Sequence, residues 1–452
     1  MKVHLIAVGG AVMHNMALAL HDKGYEITGS DDEIFDPAKS RLDAAGILPE
    51  EWGWFPDKIT EKIDIIILGM HARKDNPELL KAQELGLTIY SFPEYLYENC
   101  KDKTRVVIGG SHGKTTITSM IMHVLRFVGM EFDYMVGAQI EGFDKMVRLS
   151  HSAEIAIFEG DEYLSSPLDL RPKFHLYKPH IALLSGVAWD HINVFPTFEN
   201  YVEQFSIFAD RIEPNGKLVF FSGDEYLEKI AGSSREDIEV IPYHTHEHHL
   251  KEGITSLLSN GIAHPLQVFG QHNLQNINGA RLVCNHLGIE NDQFYKAIVQ
   301  FGGAAKRLQL LKENTSARVY LDFAHSPSKL KATTMAVKEQ FPDRELVACM
   351  ELHTFSSLNQ EFLQLYKGSM SKADIAIVYF DKHVLEHKKL KDLTSEQVME
   401  AFGGNNVKVM NDANEFRSYV NSLEMKNQNL LLMSSGNFSG INFKELADKL
   451  IP

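Results

Sequence analysis

The sequence predicts an α/β protein with mostly parallel sheets, arranged as three domains. Three observations lead there. Short apolar runs alternate with longer amphipathic segments along almost the whole chain, the pattern of repeated β-α units. Several apolar runs, such as residues 63–68, lack in-out alternation, so they read as strands covered on both faces. The length of 452 residues suits about three domains at roughly 150 residues each.

In order, residues 3–8 read as a first strand, 13–21 as a helix, 25–28 as a second strand and 63–68 as a third. Residues 77–85 read as a helix with Pro77 at its start, where a missing N–H does no harm. A second domain spans 103–300. Its strand 105–108 runs through a glycine-rich turn into a helix over 114–127, with further strands at 155–158 and 181–184. A third domain spans 301–452, with a strand at 319–321, a helix from Ser326, and strands at 346–350, 375–379 and 430–433. The first domain is then 1–102.

Composition narrows the function. Hydrophobic residues make up 44%, enough for a sizeable core. No apolar run reaches the ~20 residues that cross a bilayer. The opening Met1-Lys2-Val3-His4-Leu5-Ile6 is too short for a signal peptide. These features predict a cytoplasmic protein with no membrane partner. Cys100, Cys284 and Cys349 are scattered and odd in number, which points to buried free thiols rather than disulfides or a zinc site. The net charge of −15 disfavours nucleic acid, whose phosphates need clustered cations. An anionic ligand must be held by local devices.

Gly109-Gly110-Ser111-His112-Gly113-Lys114-Thr115-Thr116 lies between a predicted strand and a predicted helix. Glycines let amides turn toward phosphates, and the helix N-terminus adds a positive dipole. Lys114 would bridge phosphates and Thr115 would offer its hydroxyl to Mg²⁺. The general phosphate-loop pattern wants Gly where Ile108 stands, so a turn capping an ordinary helix is the alternative. A strand at 155–158 runs into Glu159, Asp161 and Glu162. Carboxylates at that edge suit Mg²⁺, although a solvated acidic loop has the same composition.

These segments resemble the Mur ligase family, whose short phosphate loop reads Gly-Thr-x-Gly-Lys-Thr-Thr. The resemblance spans essentially the whole chain. It implies a Rossmann-like first domain, a central P-loop ATPase-type α/β domain and a Rossmann-like third domain. It also implies ATP and Mg²⁺, and it places ATP on Gly110, Ser111, His112, Gly113, Lys114, Thr115 and Thr116. Glu159-Gly160-Asp161-Glu162 is similar to the family's Glu-Ala-Asp-Glu, which implies Glu159 as a metal ligand. Asp190-His191 is similar to its Asp-His motif, which implies His191 on a second Mg²⁺. Imidazole is an unusual Mg²⁺ ligand, and a loop histidine bonded to Asp190 is the plain alternative. Asn273 and Asn276, one helical turn apart, match residues that contact adenine; helix capping is the alternative. Lys306-Arg307 resembles the family's Arg-Arg, implying Arg307 at the γ-phosphate. Asp322-Phe323-Ala324-His325 resembles Asp-Tyr-Ala-His, implying Asp322 at the ribose or in closing the domains.

Gly9-Gly10 follows the first strand, and Ser30-Asp31 ends the second. An NAD site puts such residues there, but Ala7 and Val12 occupy two of the fingerprint's glycine positions. In the resemblance the same place holds the uridine diphosphate of UDP-N-acetylmuramate, implying Gly10, Ser30 and Asp31 as substrate contacts. Two subgroups use that donor, one adding L-alanine and one adding the tripeptide L-alanyl-γ-D-glutamyl-meso-diaminopimelate during recycling. Arg171-Pro172-Lys173-Phe174 and residues 433–441 look like the tripeptide subgroup. Glu351-Leu352-His353-Thr354-Phe355-Ser356 looks like the alanine subgroup, with His353 at the acceptor. The expectation is the tripeptide ligase, acting through an acyl phosphate. The rivals are the alanine ligase, a non-catalytic nucleotide-binding scaffold and a folylpolyglutamate synthase. The histidines at 244, 246, 248 and 249 read as a solvated loop rather than a metal tract.

Overall fold

The computed structural model describes residues 1–381, 384–385 and 392–452. The chain forms two compact units. The first comprises Met1–Val187, Thr197–His244 and Gly279–Phe294; the second comprises Ala188–Pro196, Thr245–Asn278 and Tyr295–Pro452. The predicted α/β class holds, with sheets that are largely parallel.

The first unit holds two sheets. One has four parallel strands, β1 (Lys2–Ile6), β2 (Glu26–Ser30), β3 (Ile65–Leu68) and β4 (Thr88–Ser91), in the order β2-β1-β3-β4. The β-branched Ile-Ile-Ile-Leu run of β3 fits a pleated surface covered on both faces. β1 stops at Ile6 rather than Val8, because the Ala7 and Val8 amides both turn to the Ser30 carbonyl, at 2.9 and 3.1 Å. The helix Pro77–Glu84 starts as predicted, with the Asn76 side chain accepting from the Glu78 and Leu79 amides.

The other sheet has seven strands: β5 (Thr104–Gly109), β6 (Phe132–Met135), β7 (Val147–Arg148), β8 (Ile155–Glu159), β9 (Ile181–Leu184), β10 (Lys217–Phe221) and β11 (Glu239–Tyr243). Their order is β11-β10-β9-β5-β8-β6-β7, and only β7 runs antiparallel to its neighbour. β5 lies at the centre, between β8 and β9, with Ile108 opposite Glu159. That register brings the glycine-rich loop after β5 beside the carboxylates that end β8. The helix Lys114–Phe127 follows the loop, with a buried face of Ile117, Met120, Ile121 and Val124.

The second unit holds a six-stranded sheet of β15 (Gln309–Glu313), β16 (Arg318–Asp322), β17 (Glu345–Leu352), β18 (Ile375–Phe380), β19 (Val407–Met410) and β20 (Gln428–Met433). Its order is β15-β16-β20-β17-β18-β19, parallel except for β15. It also holds an antiparallel sheet of β12 (His248–Lys251), β13 (Ile254–Ser259) and β14 (Ile262–Pro265). The histidine tract is therefore not a solvated loop. His248 and His249 pair in β12, and His246 is buried with its Nε2 2.8 Å from the Tyr295 hydroxyl. All three cysteines are buried free thiols. Among the described residues no helix is long and apolar enough to cross a membrane.

Candidate active site

The loop between β5 and the helix Lys114–Phe127 is shaped by two glycines in the left-handed region, Gly110 at φ 132° and Gly113 at φ 82°. A Cβ on Gly110 would lie 2.2 Å from the Ser185 hydroxyl oxygen, so only glycine lets the loop pass this close to the end of β9. The Ser111 amide donates to the Gly186 carbonyl at 3.0 Å, and the Ser185 hydroxyl donates to the His112 carbonyl. The loop is thus tied to the strand end on one side.

On the other side it meets Glu159, which ends β8, and Glu162 just beyond it. Lys114 Nζ donates to Glu162 Oε2 and to the Gly110 carbonyl, each at 2.6 Å. Burial works against the Lys114 charge, but Glu162, Asp161 and Glu159 outweigh it and hold the ammonium above its usual pKa. The Tyr201 hydroxyl donates to Glu162 Oε1 at 3.0 Å and lies 2.9 Å from Ser111 Oγ. The Thr115 hydroxyl donates to Glu159 Oε1, and the Gly137 amide to Glu159 Oε2, both at 2.9 Å. Thr116 is buried in the first turn of the helix. The sequence points to Glu162 only as one of three carboxylates suited to Mg²⁺, not as the partner of Lys114, and Tyr201 sits on the helix Phe198–Asp210 with no sequence signal linking it to the loop.

This arrangement suits a magnesium nucleotide on chemical grounds. A hydroxyl and a carboxylate 2.9 Å apart are hard oxygen donors, and Mg²⁺ completes its shell from water and phosphate. Among the described residues no group of three or more His, Cys, Asp or Glu side chains is placed to hold a metal alone.

The first sheet places the donor-site candidates together. Gly10 caps the helix Ala11–Asp22. Ser30 and Asp31 are buried at the end of β2. Asp31 Oδ2 accepts the Gly9 amide at 2.7 Å, and Oδ1 accepts the Asp32 amide at 3.0 Å. Burial pushes the Asp31 carboxyl up to about 6, with Asp32 adding to the rise against the pull of the Gly9 amide.

The remaining candidates lie in the second unit. His191 sits in the left-handed region at φ 55°, and its amide donates to Asp190 Oδ1 at 2.8 Å. Asn273 and Asn276 are buried in the first turns of the helix Gln271–His286. Asn273 donates to the Phe269 carbonyl at 2.9 Å, which is not the N-cap contact the sequence left open. Arg307 stacks on Phe323, 4.7 Å from the ring centroid. Asp322 accepts the Leu308 amide at 2.5 Å and the Ala324 amide at 2.6 Å. Burial raises its carboxyl even though Arg307 and those two amides oppose the shift. His353 lies 3.9 Å from Glu351, whose other oxygen accepts the Phe438 amide at 2.9 Å.

Comparison with known proteins agrees along most of the chain. Residues 2–104 match the profile "Mur ligase family, catalytic domain", 108–284 "Mur ligase middle domain", and 306–436 "Mur ligase, glutamate ligase domain". The UDP-N-acetylmuramate–L-alanine ligase of Arthrobacter sp. (strain FB24) is 30% identical over 83% of this chain and 80% of that protein. Among solved structures, the UDP-N-acetylmuramate-alanine ligase of Thermotoga maritima superposes with a TM-score of 0.70 at 18% identity, over 100% of this chain and 98% of that one. A murein peptide ligase of Psychrobacter arcticus gives 0.66 at 21% identity, again over 100% and 98%. At such identities these two structures speak to the fold alone, while the profile matches and the bacterial relative go further: the chain belongs to the Mur ligase family, whose members are ATP-dependent ligases that form amide bonds.

Proposed function

We propose that the protein joins the lactyl carboxylate of UDP-N-acetylmuramate to the amine of L-alanyl-γ-D-glutamyl-meso-diaminopimelate, using ATP and Mg²⁺. The observation that carries the reading is the pairing of Lys114 with Glu162 and of Thr115 with Glu159 at the ends of adjacent parallel strands. A carboxylate is a poor acylating agent, so its oxygen first attacks the γ-phosphorus and ADP leaves. The amine then attacks the acyl carbon, inorganic phosphate leaves, and the new amide loses a proton. Neither step needs a covalent enzyme intermediate, in keeping with cysteines that are all buried.

In this reading Lys114 holds phosphate oxygens, and the loop amides after Gly110 supply further donors. Mg²⁺, when bound, would neutralise phosphate charge from a place at Thr115 and Glu159. His191, Asn273, Asn276, Arg307 and Asp322 are proposed to serve the metal, the adenine, the γ-phosphate and the ribose as the family resemblance implies. Gly10, Ser30 and Asp31 are proposed for the uridine diphosphate, and His353 for the acceptor.

The tripeptide is favoured by the likeness of Arg171-Pro172-Lys173-Phe174 and of residues 433–441 to the recycling subgroup. L-Alanine is the second reading, favoured by the name of the Arthrobacter relative and by the segment 351–356. Phosphate release with ATP and UDP-N-acetylmuramate, comparing the two acceptors, decides between them. The expected result is turnover with the tripeptide and at most trace turnover with L-alanine; the reverse order overturns the acceptor assignment. No release with either acceptor overturns the ligase reading.

A further inference from the structure

The segment Ala188–Pro196 lies in sequence between parts of the first unit, yet it packs as part of the second. Its middle is tied by the Val194 and Phe195 amides, which donate to the His191 carbonyl at 2.8 and 2.9 Å, and by the Asp190 side chain. Asp190 is buried. One of its oxygens accepts the His191 amide at 2.8 Å, while the other lies 3.6 Å from Lys329 Nζ and 3.9 Å from His325 Nε2. Lys329 is on the helix Pro327–Gln340, and His325 is in the turn that joins β16 to that helix.

The turn is itself fixed. His325 Nδ1 lies 2.8 Å from the Phe323 carbonyl, and the Tyr366 hydroxyl donates to the His325 carbonyl at 2.5 Å. Asp322, the last residue of β16 before the turn, accepts the Leu308 and Ala324 amides. The flanks of the 188–196 segment are pinned separately. Trp189 packs edge-on against Phe362 at 6.4 Å and donates to the Phe195 carbonyl at 3.0 Å, and Ile192 packs on the core beneath. Between these flanks His191 keeps a positive φ, which a non-glycine residue holds only where its surroundings fix it. Asp190 contacts both the His191 amide and the side chains of the turn and the helix after it.

We propose that Asp190 is a positioning residue. Through Lys329 and His325 it locks the His191 backbone to the turn that follows Asp322, so that His191 is presented in one orientation. The proposal rests on the reading of His191 as part of the ligase site. A carboxylate that fixes a ligand-bearing loop this way is worth about 10–100-fold in activity when removed.

The test uses the full chain and four variants: Asp190→Ala, Lys329→Met, Lys329→Arg and His191→Ala. Amide hydrogen exchange across 188–196, measured without nucleotide or metal, reports the lock directly. Asp190→Ala and Lys329→Met are expected to speed exchange at His191 and its neighbours about tenfold or more, with Lys329→Arg restoring protection. In turnover, the same two variants are expected to lose kcat about 10–100-fold while KM for the UDP substrate stays within about twofold. Native exchange in Lys329→Met overturns the lock. Faster exchange with native kcat overturns its role in the reaction. Native turnover in His191→Ala instead removes the reading of His191 on which the proposal stands, whatever the exchange shows.

Discussion

Glu162→Gln separates the two things a buried carboxylate beside Lys114 can do. Glu162 is 1% exposed and Lys114 15%, and they meet at 2.6 Å. Removing one partner of a fully buried ion pair costs about 3–5 kcal/mol. Glutamine keeps a hydrogen bond with Tyr201, and Asp161 and Glu159 still act on the ammonium. That lowers the expected loss to about 1–3 kcal/mol. The loss falls on the unliganded protein, because the triphosphate supplies the counter-charge that glutamine lacks. Nucleotide affinity should therefore rise, by about tenfold for each 1.4 kcal/mol recovered. Thermal melts with and without a magnesium complex of a non-hydrolysable ATP analogue, together with calorimetric titration, read both quantities. The expected pattern is a lower midpoint without nucleotide, by about 2–4 °C per kcal/mol, and a larger nucleotide-induced rise. Lys114→Met serves as the control, since it leaves the Glu162 charge without its cation beside the phosphates and should lower both stability and affinity. A Glu162→Gln protein with a native midpoint, or one that binds nucleotide more weakly, refutes the counter-ion argument.

Gly110→Ala must move Ser185 and adopt a φ of 132° that alanine resists; it should abolish nucleotide-induced stabilisation while β5 still folds, and retained stabilisation would contradict the loop geometry. Glu159→Gln should raise the Mg²⁺ concentration needed for ADP formation about tenfold or more, and an unchanged Mg²⁺ titration would remove Glu159 from the metal. Burial pushes the Asp31 carboxyl up to about 6, above its unfolded value, so the folded state holds the extra proton between about pH 4 and 6 and loses stability as pH rises through that window. Asp31→Asn should flatten this slope in urea titrations at pH 4 and pH 8, and a native slope in that variant would count against burial as the cause.

What the sequence discloses is what depends on neighbours along the chain. The phosphate loop needs a strand, a glycine-rich turn and a helix in succession, and residues 105–127 spell out that succession. Glu159 is legible because it ends an apolar run, and β8 happens to pair with β5. Tyr201 and Ser185 are not legible. They reach the loop only because β9 flanks β5 on its other side and the helix Phe198–Asp210 packs nearby, and that strand order is set by tertiary packing. Arg105 shows the same gap. It reads as a polar start to a strand, yet it is 1% exposed. Its guanidinium donates to the carbonyls of Cys100, Lys101 and Lys103, closing the end of the helix Phe92–Cys100, and to Glu213 at 2.8 Å. The histidine tract misleads for a different reason. β12 is an edge strand of a three-stranded sheet with little apolar content of its own, so no period-2 pattern marks it.

A chain of net charge −15 that binds polyanions looks contradictory only if charge is counted globally. Beyond about 8–10 Å, physiological salt screens exposed charges, so a ligand feels the groups that line its own site. Each carboxylate proposed for function already has a donor. Glu159 accepts from Thr115 and the Gly137 amide, and Glu162 from Lys114 and Tyr201. Asp322 accepts two backbone amides, as does Asp31. Those donors are fixed by strand ends and turns rather than by flexible surface cations, so their fields are aligned before any phosphate arrives. The acidic surface can then serve solubility while the anion sites proposed above rely on glycine-rich backbone, Lys114 and Arg307.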